Sequence, residues 1–121
     1  MPHFIIEYAR DLEHEFAIAE MMEVAFSAGA RSGVMQPADI KVRAMPFDHV
    51  RLEGGLTTFV HVTVCLLAGR TSAQKAHLAE LIRHDLAQDF STVESISVDI
   101  RDMDPVAYKK RLLKQPVENA H

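Results

Sequence analysis

The spacing of apolar residues along this chain changes from the period of a strand to the period of a helix, and it does so twice. In residues 3–8 the apolar side chains of Phe4, Ile6 and Tyr8 alternate with their neighbours, which predicts a strand. From Asp11, a candidate N-cap, the spacing becomes helical until Gly29 and Gly33. The apolar stripe of this helix is expected to be Leu12, Phe16, Ala19, Met22 and Phe26. Alternation then returns in residues 40–45 and stops at Pro46, so the first half predicts strand, helix, strand.

The second half repeats this order. Residues 59–67 form a strongly β-prone run, Gly69 predicts a turn, and Thr71 or Ser72 is a candidate helix cap. The apolar stripe of this second helix is expected to be Ala79, Ile82, Leu86 and Phe90. Residues 96–101 alternate again and predict a fourth strand. We therefore expect one domain over residues 1–121 with two β-α-β repeats, about 2–46 and 57–104, and a short tail over 105–121.

Right-handed crossovers would make the strands of each repeat parallel and would place both helices on one face of a shared four-stranded sheet. The expected fold is thus α+β, with one sheet face left bare. Residues 59–67 are apolar on both faces, as in strands buried on both sides, so the bare face predicts self-association. The alternative is a monomer whose tail covers this face, but the tail is short. The basic residues after Pro105 predict a short helix that docks on a neighbouring chain.

Composition excludes several classes of function. The chain is 48% hydrophobic and 25% charged, carries a formal charge of −4 and has no long run of basic residues, which argues against nucleic-acid binding. No apolar stretch approaches the ~18 residues of a membrane span, and no signal peptide is recognisable, so we expect a cytoplasmic protein. The seven histidines are scattered and predict no metal site. The single Cys65 is expected to act as a small hydrophobe.

Pro2 is the residue with the most unusual potential chemistry. If the initiator methionine is removed, Pro2 presents a free secondary amine at the start of the first strand, whereas proline within a chain has no basic nitrogen. The N-terminal end of that strand is expected near Lys41 and Arg43 of the second strand and near Arg70, in the turn after the third. Burial and positive charges both lower the pKa of an amine, which suits proton abstraction next to a carbonyl. Arginine also binds carboxylates through two parallel hydrogen bonds.

Four segments together resemble the 5-carboxymethyl-2-hydroxymuconate isomerases of the tautomerase superfamily. They are Pro2-His3-Phe4-Ile5-Ile6-Glu7, Ile40-Lys41-Val42-Arg43, Phe59-Val60-His61-Val62-Thr63-Val64 and Ala68-Gly69-Arg70-Thr71. The resemblance implies a homotrimer of β-α-β duplications and an amino-terminal proline that acts as acid and base without a cofactor. It also implies a double-bond shift in an unsaturated oxo or hydroxy polycarboxylate from aromatic (homoprotocatechuate) catabolism.

By position, the resemblance assigns the catalytic role to Pro2 and substrate binding to Arg70. Where the family has a substrate-facing arginine, this sequence has Lys41, which keeps the positive charge but lacks the planar guanidinium that forms two parallel hydrogen bonds. Arg43 matches a second basic position of the family. The same residues would serve a hydratase, decarboxylase or dehalogenase of a small unsaturated acid, since one fold hosts many reactions. A third alternative is a non-enzymatic oligomeric binding protein that retains Met1.

Overall fold

The computed structural model describes residues 1–114 and contains one four-stranded sheet with two helices. The strands are β1 (His3–Ala9), β2 (Lys41–Phe47), β3 (Phe59–Leu67) and β4 (Ser95–Met103), and the helices are α1 (Ile18–Arg31) and α2 (Ser72–Asp89). The strand order is β2-β1-β3-β4. The pairs β1·β2 and β3·β4 are parallel, and β1 and β3 meet antiparallel at the centre. The predicted α+β class, with a four-stranded sheet and two helices, is confirmed.

The core lies between the helices and one face of the sheet. Alternate residues of the central strands, such as Phe4, Ile6, Val62 and Val64, are fully buried there. The intervening residues face the other way and are only half-buried, as for Thr63. We call this second surface the open face, because no element of residues 1–114 packs across it as the helices do on the first. Neither helix of the described chain is long and apolar enough to cross a lipid bilayer.

The predicted start of the first helix was wrong. Helix α1 begins at Ile18, and Asp11 lies in a short 3-10 helix, Arg10–His14, whose first turn has no side-chain cap. This short turn buries Leu12. The backbone carbonyl of Leu12 accepts hydrogen bonds from the backbone N–H groups of Glu15 at 3.1 Å and Phe16 at 2.9 Å, just before α1 begins. The buried stripe of α1 is consequently Met21, Ala25, Ala28 and Gly29.

Helix α2 begins as the sequence predicts. Thr71 is its N-cap and forms a capping box with Gln74: the backbone N–H of Gln74 donates to Thr71 Oγ1 at 3.1 Å, and the backbone N–H of Thr71 donates to Gln74 Oε1 at 2.8 Å. Ile82 and Leu86 face the core as expected, and Leu78 takes the place predicted for Ala79.

Two further expectations need correction. Strand β2 continues through Pro46 to Phe47, because β2 is an edge strand and the missing N–H of a proline is tolerated there. The described part of the tail, up to residue 114, contains a turn rather than a helix. Tyr108 of this segment contacts His3 of the same chain at a hydrogen-bond distance of 3.0 Å. The remainder of the predicted tail lies outside the described residues.

Candidate functional site

The sheet topology gathers three chain segments around Pro2. Because β1 and β2 are parallel, their first residues meet, and the backbone N–H of Lys41 donates to the carbonyl of Pro2 at 3.0 Å. Because β3 is antiparallel to β1, its last residues reach the same end of the sheet. Gly69, with φ of +136°, then turns the chain so that Arg70 follows directly. The buried Pro2 thus lies between the start of β2 and the turn after β3.

A cavity of about 200 Å³ opens at this end of the sheet, and we call it the N-terminal cavity. Its lining comes from the chain start, the segment after α1 and the turn after β3. The lining residues are Met1, Pro2, Gly33, Val34, Met35, Gln36, Asp39, Leu67 and Arg70. Pro2 and Arg70, two of the residues expected at the site, therefore share one cavity.

Arg70 is held rigidly in this cavity by backbone carbonyls. Its Nε and Nη2 groups donate to the carbonyl of Val34 at 3.1 and 3.0 Å, and Nη1 donates to the carbonyl of Leu67 at 3.0 Å. A guanidinium has five N–H donors, so part of its donor capacity stays available to a ligand. The arrangement fixes a positive charge beside Pro2 at little entropic cost on ligand binding.

The chain's terminal amine lies in an environment that disfavours its protonated form. The Met1 amine donates to the backbone carbonyl of Asp39 at 2.6 Å. Its pKa is lowered from 8.0 to about 6, mainly by burial and also by the positive charges of Lys110, Lys41 and Arg70, against the opposing effect of Asp39. An amine with this pKa is mostly neutral at pH 7 and can accept a proton.

Lys41 and Arg43 are placed differently from Arg70. Both are exposed residues of β2, at the positions that pair with His3 and Ile5 of β1, and neither lines the N-terminal cavity. Lys41 acts on the terminal amine through its charge. Arg43 Nη1 instead lies 3.2 Å from His3 Nδ1.

Three residues near this site were not identified from the sequence. His3 bridges Arg43 and Tyr108, and Lys110 has a larger effect on the pKa of the terminal amine than Lys41 or Arg70. The basic composition of the tail was the available signal, but its position against β1 depends on a tertiary contact. Within residues 1–114, no group of three or more His, Cys, Asp or Glu is arranged to hold a metal ion.

Comparisons with known proteins identify a family and a fold. A family model described as 5-carboxymethyl-2-hydroxymuconate isomerase matches residues 2–115. No curated protein sequence matches significantly.

Three solved structures illustrate the shared fold. A 5-carboxymethyl-2-hydroxymuconate isomerase from Deinococcus radiodurans R1 has a TM-score of 0.69 at 21% identity, over 91% of this chain and 88% of that chain. The FG41 malonate semialdehyde decarboxylase inhibited by 3-bromopropiolate has a TM-score of 0.69 at 16% identity, over 92% and 90%. A fused wild-type 4-OT asymmetric trimer, F6, has a TM-score of 0.71 at 17% identity, over 89% and 91%.

Proposed function

Because the chain belongs to the 5-carboxymethyl-2-hydroxymuconate isomerase family and is an isomerase, we propose that it shifts a double bond in an unsaturated 2-hydroxy or 2-oxo polycarboxylate, with the amine of Pro2 as acid and base. The observation that carries this proposal is the location of the chain start. The amine end lies in a cavity with Arg70, where burial and nearby cations favour the neutral form of an amine. The substrate class we propose is that of 5-carboxymethyl-2-hydroxymuconate, in aromatic catabolism.

The proposed reaction begins after Met1 is removed and Pro2 carries the free amine. The neutral amine takes a proton from the 2-hydroxy group of the substrate, or from a vinylogous carbon, and becomes an ammonium. The electron pair left behind is delocalised as a dienolate, whose negative charge is stabilised by the fixed guanidinium of Arg70. The ammonium then returns the proton to another carbon of the conjugated system. Proton and electrons balance, so no cofactor takes part in this scheme.

The carboxylates of the substrate would be held by the surrounding cations. Arg70 is the member of this set that lines the cavity, while Lys41 and Arg43 extend from the edge strand on the open face. Lys41 supports this role through its effect on the terminal amine, and Arg43 through its proximity to His3. We propose Arg70 as the main carboxylate ligand and Lys41 or Arg43 as the second.

We also propose that the chain forms a homotrimer through the open face. The support is the apolar residues among the half-buried row of β3, Phe59, Cys65 and Leu67, together with exposed Met45 and Phe47 on β2. These side chains would remain in contact with water in a monomer. The trimer named among the similar folds is consistent with this assembly. In a trimer, neighbouring chains would bring further residues to the end of each sheet.

The decisive experiment compares two forms of the same chain. One is verified by intact mass to begin at Pro2, and the other retains Met1 because it is produced with methionine aminopeptidase inhibited. We expect only the processed form to isomerise 5-carboxymethyl-2-hydroxymuconate rapidly, followed by ultraviolet absorbance, and the other form to be at least about a hundredfold slower. In the retained form the Pro2 nitrogen is an amide and cannot accept the proton. Equal rates in the two forms would overturn the proline mechanism.

The pH dependence provides a second readout. Only the neutral amine acts as a base, so kcat/KM should fall as the pH decreases through the pKa of the free-enzyme amine. The surroundings lower the pKa of the Met1 amine, and we propose that the same burial and cations act on the amine of Pro2 once Met1 is removed. The decrease should then occur at lower pH than for a solvent-exposed prolyl amine. The pH at which kcat/KM falls should change in Pro2→Ala, because this variant still exposes a free amine but a primary one. Release of carbon dioxide from a 3-oxo acid, or of halide from a halogenated unsaturated acid, without isomerisation of 5-carboxymethyl-2-hydroxymuconate would favour the decarboxylase or dehalogenase alternative.

A further inference from the structure

A series of polar contacts joins the start of β1 to the C-terminal segment, and the proposed reaction does not use it. His3 follows Pro2 directly, and its two ring nitrogens contact two different elements: Nδ1 lies 3.2 Å from Arg43 Nη1, and Nε2 lies 3.0 Å from Tyr108 Oη. The rings of His3 and Tyr108 also pack edge-on, with centroids 5.9 Å apart. Tyr108 is half-buried by this contact, although most of its neighbours in the segment are exposed.

The hydrogen-bond donors that surround His3 determine its tautomer. A guanidinium only donates hydrogen bonds, so Nδ1 of His3 must accept from Arg43. Nε2 then carries the hydrogen and donates to Tyr108 Oη. The pKa of His3 is lowered, first by burial and then by Arg43, Lys41, the terminal amine and Lys110, which keeps the ring neutral as this pattern requires. The contact therefore persists through the neutral pH range.

The segment that carries Tyr108 has a defined turn. Asp104 Oδ1 accepts the backbone N–H of Val106 at 2.9 Å, and its backbone carbonyl accepts those of Ala107 and Tyr108 at 3.1 and 3.0 Å. We call residues 104–110 the C-terminal arm. The turn at one end and the His3 contact at Tyr108 fix the direction of the arm, which brings Lys110 to the start of β1.

We propose that the C-terminal arm is part of the substrate site and that Lys110 is a specificity-determining residue, which binds a carboxylate that a dicarboxylate analogue lacks. Tyr108 is the positioning residue that holds the arm against His3. This inference rests on the proposed function, and it adds a substrate contact that the residues expected from the sequence do not include.

The charge requirement of the proposed substrate supports this assignment. 5-Carboxymethyl-2-hydroxymuconate has three carboxylates, whereas the N-terminal cavity itself contributes one arginine. Lys41 can serve a second carboxylate from β2, and the third needs another cation near the chain start. Lys110 meets this condition, because it follows Tyr108 by two positions and Tyr108 lies against His3, the neighbour of Pro2. The charge of Lys110 also lowers the pKa of the terminal amine and of His3. An exposed lysine also forms ion pairs without the desolvation cost of a buried one.

The experiment compares two substrates that differ by one carboxylate. We expect Lys110→Ala to raise KM for 5-carboxymethyl-2-hydroxymuconate about fivefold, while KM for 2-hydroxymuconate and kcat for both change less than about twofold. Lys110→Arg should keep the preference for the tricarboxylate. Lys109→Ala is the matched control, because it removes the same charge one position away and should not change the ratio of the two KM values. An equal change for both substrates, or none for either, would overturn the proposal.

Tyr108→Phe tests the positioning role separately. The variant keeps the ring but loses the hydroxyl that accepts from His3, so it should lose part of the same tricarboxylate preference at an unchanged melting temperature. A purely structural role would change the melting temperature or both substrates alike, which would contradict the assignment of Tyr108.

The proposal can be judged even if neither compound is isomerised. Calorimetric binding of tricarballylate and glutarate, which differ by one carboxylate, should then show a preference for tricarballylate that disappears in Lys110→Ala. An absence of this preference in the parent chain, or its persistence in the variant, would reject the role of Lys110 independently of the isomerase reaction.

Discussion

At the scale of single residues, Arg70 combines a structural role with a charge at the candidate site. Its three hydrogen bonds tie the segment after α1, through Val34, to the turn after β3, through Leu67. The sequence suggested a carboxylate-binding arginine in a turn, and the structure shows that its guanidinium is already held by three hydrogen bonds. A fixed cation stabilises a developing negative charge with little reorganisation.

We predict that Arg70→Ala lowers kcat/KM about a hundredfold, because a charge that stabilises the transition state is lost. The variant should also lose about 1–3 kcal/mol of unfolding free energy, since two carbonyls lose their partners. Arg70→Lys should give an intermediate kcat/KM, because it keeps the charge but not the planar fork.

Steady-state kinetics below the melting temperature, together with urea unfolding, separates the two effects of the Arg70 variants. Arg83→Ala is the matched control, since Arg83 is an exposed residue of α2 that pairs with Glu80. Unchanged kcat/KM in a folded Arg70→Ala protein would remove Arg70 from the site.

At the scale of elements, close packing of α1 on β1 positions the lining of the N-terminal cavity. A Cβ atom at Gly29 would lie 2.6 Å from Phe4 Cζ and 3.2 Å from Met35 Sδ. The small residues Ala25, Ala28 and Gly29 thus let the helix approach the sheet. Met35 is both a neighbour of this contact and part of the cavity wall, so helix packing and site geometry are linked.

We predict that Gly29→Ala destabilises the fold by about 1–3 kcal/mol, despite the higher helix propensity of alanine, because the rigid buried ring of Phe4 has no space to move. Ser27→Ala, at a half-buried position of the same helix, should change stability by less than about 0.5 kcal/mol. Urea unfolding monitored by circular dichroism gives both values. Equal or higher stability of Gly29→Ala would show that α1 can shift away from the sheet.

At the scale of the whole molecule, one sheet face is covered by helices and the other is not. The alternate residues of β3 on the open face, Phe59, His61, Thr63, Cys65 and Leu67, are half-buried, while those beneath the helices are fully buried. The C-terminal arm contacts the open face at His3, near one end of the sheet. The centre of this face, where Ile5 pairs with Thr63, is therefore available for association between chains.

We predict that Thr63→Glu prevents assembly, because it places a charge at the centre of the open face and burial of an unpaired charge is costly. Light scattering should give about three times the 13.6 kDa chain mass for the parent protein and the single-chain mass for the variant. Ala76→Glu, at an exposed position of α2, is the control and should remain assembled. A parent protein that is monomeric at micromolar concentration would contradict the trimer.

The sequence by itself determined the order of elements, because hydrophobic periodicity is a local property that each strand and helix displays independently. It correctly indicated four strands, two helices and the Thr71 cap, since a capping box needs residues only three positions apart. It misplaced the start of α1, because Asp11 resembles a cap while the burial of Leu12 favours a separate turn. Local patterns therefore fail where a tertiary contact competes with them.

Only the tertiary structure decided which charges surround the chain start. Arg70 and Pro2 come together because β1 is antiparallel to β3, whereas Lys41 and Arg43 lie on the open face because strand residues alternate between faces. Lys110 is more than a hundred positions from Pro2, and its placement depends on the turn at Asp104 and on the contact between Tyr108 and His3. Electrostatic effects act through space, so no spacing along the chain could have predicted this cation near the terminal amine.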